Sequence, residues 1–436
     1  MTASDPPSIR LTPPWRVLFI LVLVYVVSLI DRSIIGILAK PIQADLQLDD
    51  TQLGLLGGFA FVVLYATLGV PIAWLADRRS RVLIISISVA VWSLCTSLCG
   101  LSRDFSQLFF ARMGVGVGEA GGIAPSYSLI ADHFPQERRA RALAIFTIGS
   151  PIGFALGILF GGWIAANSDW RLAFIVTGLL GLPVAALVRF GITEPQRGGL
   201  DGAAAGAPAP TVQAVAASLI RNRTFWLLTA GATLSNVSVN GLFFWLPSFF
   251  QRSLGLDLVD TSWFYGSLVL VGGVAGIAGG GLLGDRMGRQ SLKAFVLIPA
   301  VSFLMSSPLY ALALFAPTLS LAWLLFVIPQ ALSFVYPGPM LTALNHIVPP
   351  NTRATASALF LMIAHLLGTG LGTAFIGFAS DSLSMTYGAD GLRYALLLAV
   401  GTNVLAAVAF AAAGQTIRKD WRGEHPRPNK ASAGAR

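Results

Sequence analysis

Four ionisable residues sit where a chain this apolar has little reason to carry them. Asp31 and Arg32 lie within the apolar run 16–39, and Arg112 and Glu119 within 105–131. Seven residues separate Arg112 from Glu119, so on a helix both point roughly the same way, two turns apart. A charge near a bilayer centre costs about 2.5–3.5 kcal/mol on insertion scales. Left unpaired, the four would cost on the order of 10 kcal/mol, so they are expected to face a polar cavity and one another. Asp31 with Arg112, and Glu119 with Arg32 or Arg112, are the natural pairs. A carboxylate beside a movable Arg can act as a proton switch, because moving the cation changes the carboxylate's hold on a proton. The same residues could instead form a static ion pair that fixes helix register.

The elements that must position them are membrane helices. The chain has 436 residues, 55% hydrophobic and 11% charged. A soluble protein carries roughly a quarter charged residues. Twelve apolar runs are each about the 20 residues that a bilayer requires: 16–39, 52–75, 82–102, 105–131, 140–166, 171–190, 225–250, 262–283, 291–315, 319–344, 354–379 and 392–413. The expected fold is an all-α membrane protein of twelve helices in two six-helix halves. Its parts are a leader (1–15), an N-terminal bundle (16–190), a linker (191–224), a C-terminal bundle (225–413) and a basic tail (414–436). Within the Gly-, Ala- and Pro-rich linker, 212–223 reads as a short interfacial helix. The first run is too long for the core of a cleavable signal peptide and is expected to remain as an anchor.

A charged hairpin repeats across the halves. Asp77-Arg78-Arg79-Ser80-Arg81 returns 208 residues later as Asp285-Arg286-Met287-Gly288-Arg289, each copy between two apolar runs. A weaker pair aligns the segment around Arg138 with that around Arg353. Asp77, Arg78, Arg81, Arg138, Asp285, Arg286, Arg289 and Arg353 are therefore candidate gate residues. They would latch the halves together on one face while the other is open; alternatively they are topology charges alone. Sorting the 29 Lys and Arg with the N-terminus inside puts 22 on the inner side and five outside. That bias predicts both termini in the cytoplasm of a bacterial-type inner membrane. The net charge of +9 is then explained by topology and anionic lipid, with no nucleic-acid partner needed. Cys95 and Cys99, four apart, read as packing residues. No metal cluster or phosphate-binding loop is apparent, which argues against an enzyme; no cofactor is expected beyond a proton as coupling ion, and the chain is expected to be monomeric.

Gly281 to Arg289 matches fully the signature of the major facilitator superfamily between its second and third spans, and the chain resembles that family over nearly its whole length. Narrower still, Asp31-Arg32, the stretch from Arg112 to Asp132, Phe134 to Ala142, and Pro151 with Gly153 resemble the Spinster family of lysolipid and sphingolipid transporters. The resemblance implies alternating access, proton-linked movement of an amphiphilic lipid, and roles for Asp31, Arg32 and Glu119 in coupling or headgroup contact. The C-terminal half supplies candidate cavity residues Asn236, Asn240, Phe244, Trp245, Tyr336 and His365. It carries no acidic or basic residue at mid-membrane, so charge recognition is expected from the N-terminal half and apolar contact from the C-terminal half. Two alternatives stay open: a proton symporter of small organic anions, and a membrane sensor or scaffold that no longer transports.

Overall fold

A computed structural model describes residues 12–76, 78–196, 211–288, 291–349 and 352–421, without the side chains of residues 136, 140, 285, 288 and 354. Asp77 and Arg289 lie outside the described residues, as does the side chain of Asp285. Among the described residues, ten helical stretches are long and apolar enough to cross a membrane, and the last of them holds two helices joined at Gly388–Asp390. A further traverse, Phe105–Glu119 followed by Ile123–His133, is interrupted at Ala120–Gly122. Twelve traverses result, as the apolar runs require.

We number them α1 (Pro14–Ile37), α2 (Asp50–Ala76), α3 (Arg81–Cys99), α4 (Phe105–Glu119 with Ile123–His133), α5 (Gln136–Asn167) and α6 (Trp170–Gly191). The second half comprises α7 (Arg223–Ser253), α8 (Leu258–Gly288), α9 (Ala294–Leu314), α10 (Leu319–His346), α11 (Arg353–Ile363 continuing to Leu371–Tyr387) and α12 (Gly391–Asp420). Polar caps start many of them. Ser80, Asp104, Asp169, Asn222 and Thr318 each accept a backbone N–H from the first turn of the helix that follows, which satisfies an otherwise orphaned donor. Helix α12 continues to Asp420, past the expected bundle end at 413, because its closing turns pack Ile417 inward and Asp420 accepts from Thr224 of α7.

The internal repeat is visible in the packing. Helix α1 lies on α5 as α7 lies on α11; α3 lies on α6 as α9 lies on α12. The halves meet through α2 against α11 and α5 against α8. Large apolar side chains such as Phe110, Phe160, Leu282 and Phe378 point outward, the surface a bilayer would cover. The expected linker helix forms over Val212–Ile220, capped by Thr211, with Val215 and Leu219 buried.

Two π-helical turns face each other across the halves: Leu55–Phe59 in α2 and Ala364–Gly370 in α11. Each wider turn accommodates an extra residue and resets the direction of the side chains beyond it. Phe61 and Tyr65 follow the first; His365 lies within the second.

Candidate functional site

Glycine brings the charged helices together. A Cβ on Gly116 would lie 2.2 Å from the Phe61 carbonyl of α2, and one on Gly118 2.4 Å from the Trp92 nitrogen of α3. Such backbone approach is open only to glycine, and it seats Arg112 and Glu119 against α1 and α2. Glu119 ends the first segment of α4, immediately before the interruption. Its Oε2 accepts from Arg32 Nε at 2.5 Å and from Ser28 Oγ at 3.0 Å. The guanidinium of Arg32 lies over two rings, 4.6 Å from the centroid of Tyr65 and 4.9 Å from that of Phe61. Of the two partners expected for Glu119, Arg32 and Arg112, it meets Arg32.

The other expected pair does not form. Both Asp31 oxygens are buried with no hydrogen-bond partner among the described residues, as are Arg112 Nε and Nη1. Arg112 turns instead toward Phe61, its Cζ 5.4 Å from that ring centroid, and joins the wall of a cavity. Arg32 Nη2 and Glu119 Oε1 are also buried and unpartnered. Polar capacity is therefore left open where two cations converge, a costly arrangement unless something polar occupies the space.

That cavity measures about 250 Å³. Arg32 and Arg112 supply its charge; Asn236, Asn240, Gln330 and Tyr336 supply neutral polar groups; Phe154, Phe243 and Phe244 supply apolar wall. Asn236 organises the C-terminal side: its Oδ1 accepts from Asn240 at 3.0 Å and from the Tyr336 hydroxyl at 3.4 Å, while its Nδ2 donates to the Ala364 carbonyl. Tyr336 stands at the interruption between Leu319–Val335 and Pro337–His346, the break that Pro337 and Pro339 predict. Trp245 is a correction. It is fully buried, takes no part in the cavity wall and donates to the Thr373 carbonyl of α11 at 3.0 Å; successive residues of a helix point about 100° apart, so Phe243 and Phe244 cover the cavity side of α7 and the next residue turns past it.

A second cavity of about 800 Å³ runs to the face that carries the basic hairpins, bounded there by Trp74, Arg78, Thr211, Val212 and Thr355. Glu119 lies on its wall. Tyr65 and His365 border both cavities and stand between them, their rings edge to face with centroids 6.5 Å apart. His365 Nδ1 sits 3.4 Å from Thr369 Oγ1.

On the basic face the gate residues bind within their own halves. Arg81 of α3 pairs with Asp132 at the end of α4 and with Glu194 beyond α6. Burial alone would raise the Glu194 carboxyl, but the Val82 amide, the Arg81 guanidinium and the Ser80 hydroxyl outweigh it and hold it below its ordinary value. Arg78 folds over Trp74 of its own helix, 4.0 Å from the centroid of the ring's atoms. Arg353 donates to the Asn345 carbonyl across the α10–α11 turn. Arg138 and Arg286 are exposed. None of these contacts joins the halves, as a latch released on an open face requires.

The opposite face is shut by residues that the sequence reading passed over. Asp50 accepts from Arg252 of α7 at 2.7 and 2.8 Å, from Gln43 and from Ser380 of α11. Asp381 of α11 accepts from the backbone of Asp50 and Thr51 at the start of α2. Main chain meets main chain beside these bonds: a Cβ on Gly54 would lie 2.4 Å from the Thr373 carbonyl, and one on Gly377 2.1 Å from that of Asp50. The available signal was weak, since polar residues at span ends look like ordinary topology charges.

The arrangement is thus a polar cavity between the halves, parted by Tyr65 and His365 from a larger cavity that reaches one face, and sealed from the other. Residues 21–373 match the family model described as Major Facilitator Superfamily. An MFS-type efflux pump of Mycolicibacterium smegmatis is 30% identical, covering 93% of this chain and 94% of its own. Protein spinster homolog 3 of Danio rerio is 30% identical, covering 98% of this chain and 91% of its own. A solved bacterial homologue of the human lysosomal transporter Spinster, inward-facing and unoccupied, has a TM-score of 0.83 at 29% identity, covering 96% of this chain and all of that one.

Proposed function

Since the chain belongs to the Major Facilitator Superfamily and is a transporter of its Spinster type, we propose that it moves an amphiphilic, lipid-like substrate with an anionic headgroup by proton-coupled alternating access. The observation that carries this reading is the Arg32–Glu119 pair, which straddles the two cavities. An anionic headgroup entering the inner cavity would compete for Arg32 and Arg112. Drawing Arg32 away would leave Glu119 without its cation, so that it takes up a proton from the larger cavity. Loss of the headgroup reverses the exchange. Substrate and proton thereby contend for one cation.

Size supports an amphiphile. Typical sites for whole ligands span roughly 300–1,000 Å³, so a cavity of about 250 Å³ suits a headgroup, with the acyl chain left in the larger, mostly apolar cavity. The basic face would be cytoplasmic by the positive-inside rule, the membrane a bacterial inner membrane, and the conformation inward-open like that of the related solved structure. A symporter of small organic anions is favoured by one observation, the unpartnered donors of Arg112, which fit a carboxylate without any tail.

Transport into liposomes separates the readings. Competition that strengthens with acyl-chain length supports the amphiphile, and equal competition by small hydrophilic acids supports the symporter. Binding without flux under any gradient would leave a sensor.

A further inference from the structure

We propose that Tyr65 is a positioning residue that ties passage between the two cavities to the state of the Arg32–Glu119 pair. The inference deepens the transport reading above and rests on it. Its ring borders both cavities and closes the neck against His365 of the opposite half. The same ring lies beneath Arg32, 4.6 Å from the guanidinium carbon, and stacks on Phe61 at 5.1 Å. Arg32 is thereby held with Nε turned to Glu119 and Nη2 left free of protein partners. A cation is attracted to the face of an aromatic ring, the more so when both are desolvated.

A headgroup crossing the neck must displace this ring. Displacing it removes one of the platforms on which Arg32 rests, so entry itself loosens the ion pair before any oxygen of the substrate reaches the cation. One side chain then serves as obstacle and as trigger. The charged and titratable groups around it are Tyr25 and Arg32 on α1, Arg112, Glu119 and Tyr127 on α4, and His365 on α11. Tyr65 adds no charge to that set; it fixes where the Arg32 charge lies.

The full chain is reconstituted in liposomes with an entrapped pH dye and a fluorescent lysophospholipid as probe, across pH 5 to 8. Tyr65→Phe keeps the ring and should keep proton uptake per lipid moved within about 2-fold of wild type. Tyr65→Leu keeps bulk without the π face; Tyr65→Met substitutes if the leucine variant misassembles. Lipid equilibration without a gradient should survive in it, while lipid-dependent proton uptake falls on the order of 10-fold and its pH profile flattens. Wild-type coupling in Tyr65→Leu, or equal loss in Tyr65→Phe, overturns the proposal while leaving the transport reading intact. Wild-type vesicles that move neither lipid nor protons overturn both.

Discussion

Asp381 of α11 holds Thr51 of α2 by two bonds at once, accepting its backbone N–H at 2.9 Å and its hydroxyl at 2.6 Å. The two residues belong to different halves and lie 330 positions apart, so the bonds exist only while that face is shut. Hydrogen bonds to a charged group contribute about 1.5–3 kcal/mol each. Asp381→Ala should therefore raise the population open on that face by about 100-fold or more. Labelling of a cysteine placed at Asn240 by an impermeant maleimide from that side reads the shift. Unchanged labelling would mean the bonds are incidental to closure.

Glu119→Gln keeps an oxygen to accept from Ser28 and Arg32 but removes the exchangeable charge. The helices should assemble, since the amide still fills the polar contacts, while flux driven by a pH gradient is abolished. Melting curves and gradient-driven transport in vesicles check the two halves of the expectation. Wild-type flux along an imposed gradient would remove Glu119 from coupling.

Gly54→Val should act on conformation more than on folding. Its side chain would meet the Thr373 carbonyl, a backbone atom that cannot rotate away. The clash vanishes when the halves separate on that face, so the variant should be biased toward that state. The Asn240 cysteine assay should show labelling at least as high as in Asp381→Ala.

Acid should weaken the corner where α3, α4 and the segment after α6 meet. The Glu194 carboxyl is held below its ordinary value of 4.5, so its contribution is fully present above about pH 4.5 and is lost as pH falls through the lowered folded value. Because its side chain is 29% exposed, solvent reduces the contribution to about 1 kcal/mol. Glu194→Gln should lower the melting temperature at pH 7 and remove part of the drop between pH 5 and 3. Parallel melting curves for the two proteins would count against the assignment.

The number of helices and the Glu119–Arg32 contact were legible because both rest on rules that span length and membrane cost impose. The failure of Asp31 to meet Arg112 was not, since it depends on whether Arg112 swings toward α1 or toward the Phe61 ring, a choice made by tertiary packing. Trp245 misled for a local reason: its neighbour Phe244 reaches the cavity, and a polar-to-aromatic run does not say which face of a helix it decorates. The seal of Gln43, Asp50, Arg252 and Asp381 was invisible because partners so distant in the chain carry no shared pattern. In sequence Tyr65 is one aromatic among several in an apolar helix; only the fold seats Arg32 on it.

The two π turns deserve a mechanical reading. Each houses a surplus residue; Tyr65 lies beyond the first and His365 within the second. A surplus residue can migrate along a helix by exchanging amide partners a step at a time, swivelling whatever projects beyond it. Because a Cβ on Gly58 would already fall 2.6 Å from the Thr369 carbonyl of the other half, such a reshuffling inside one helix is geared to the rocking of the halves.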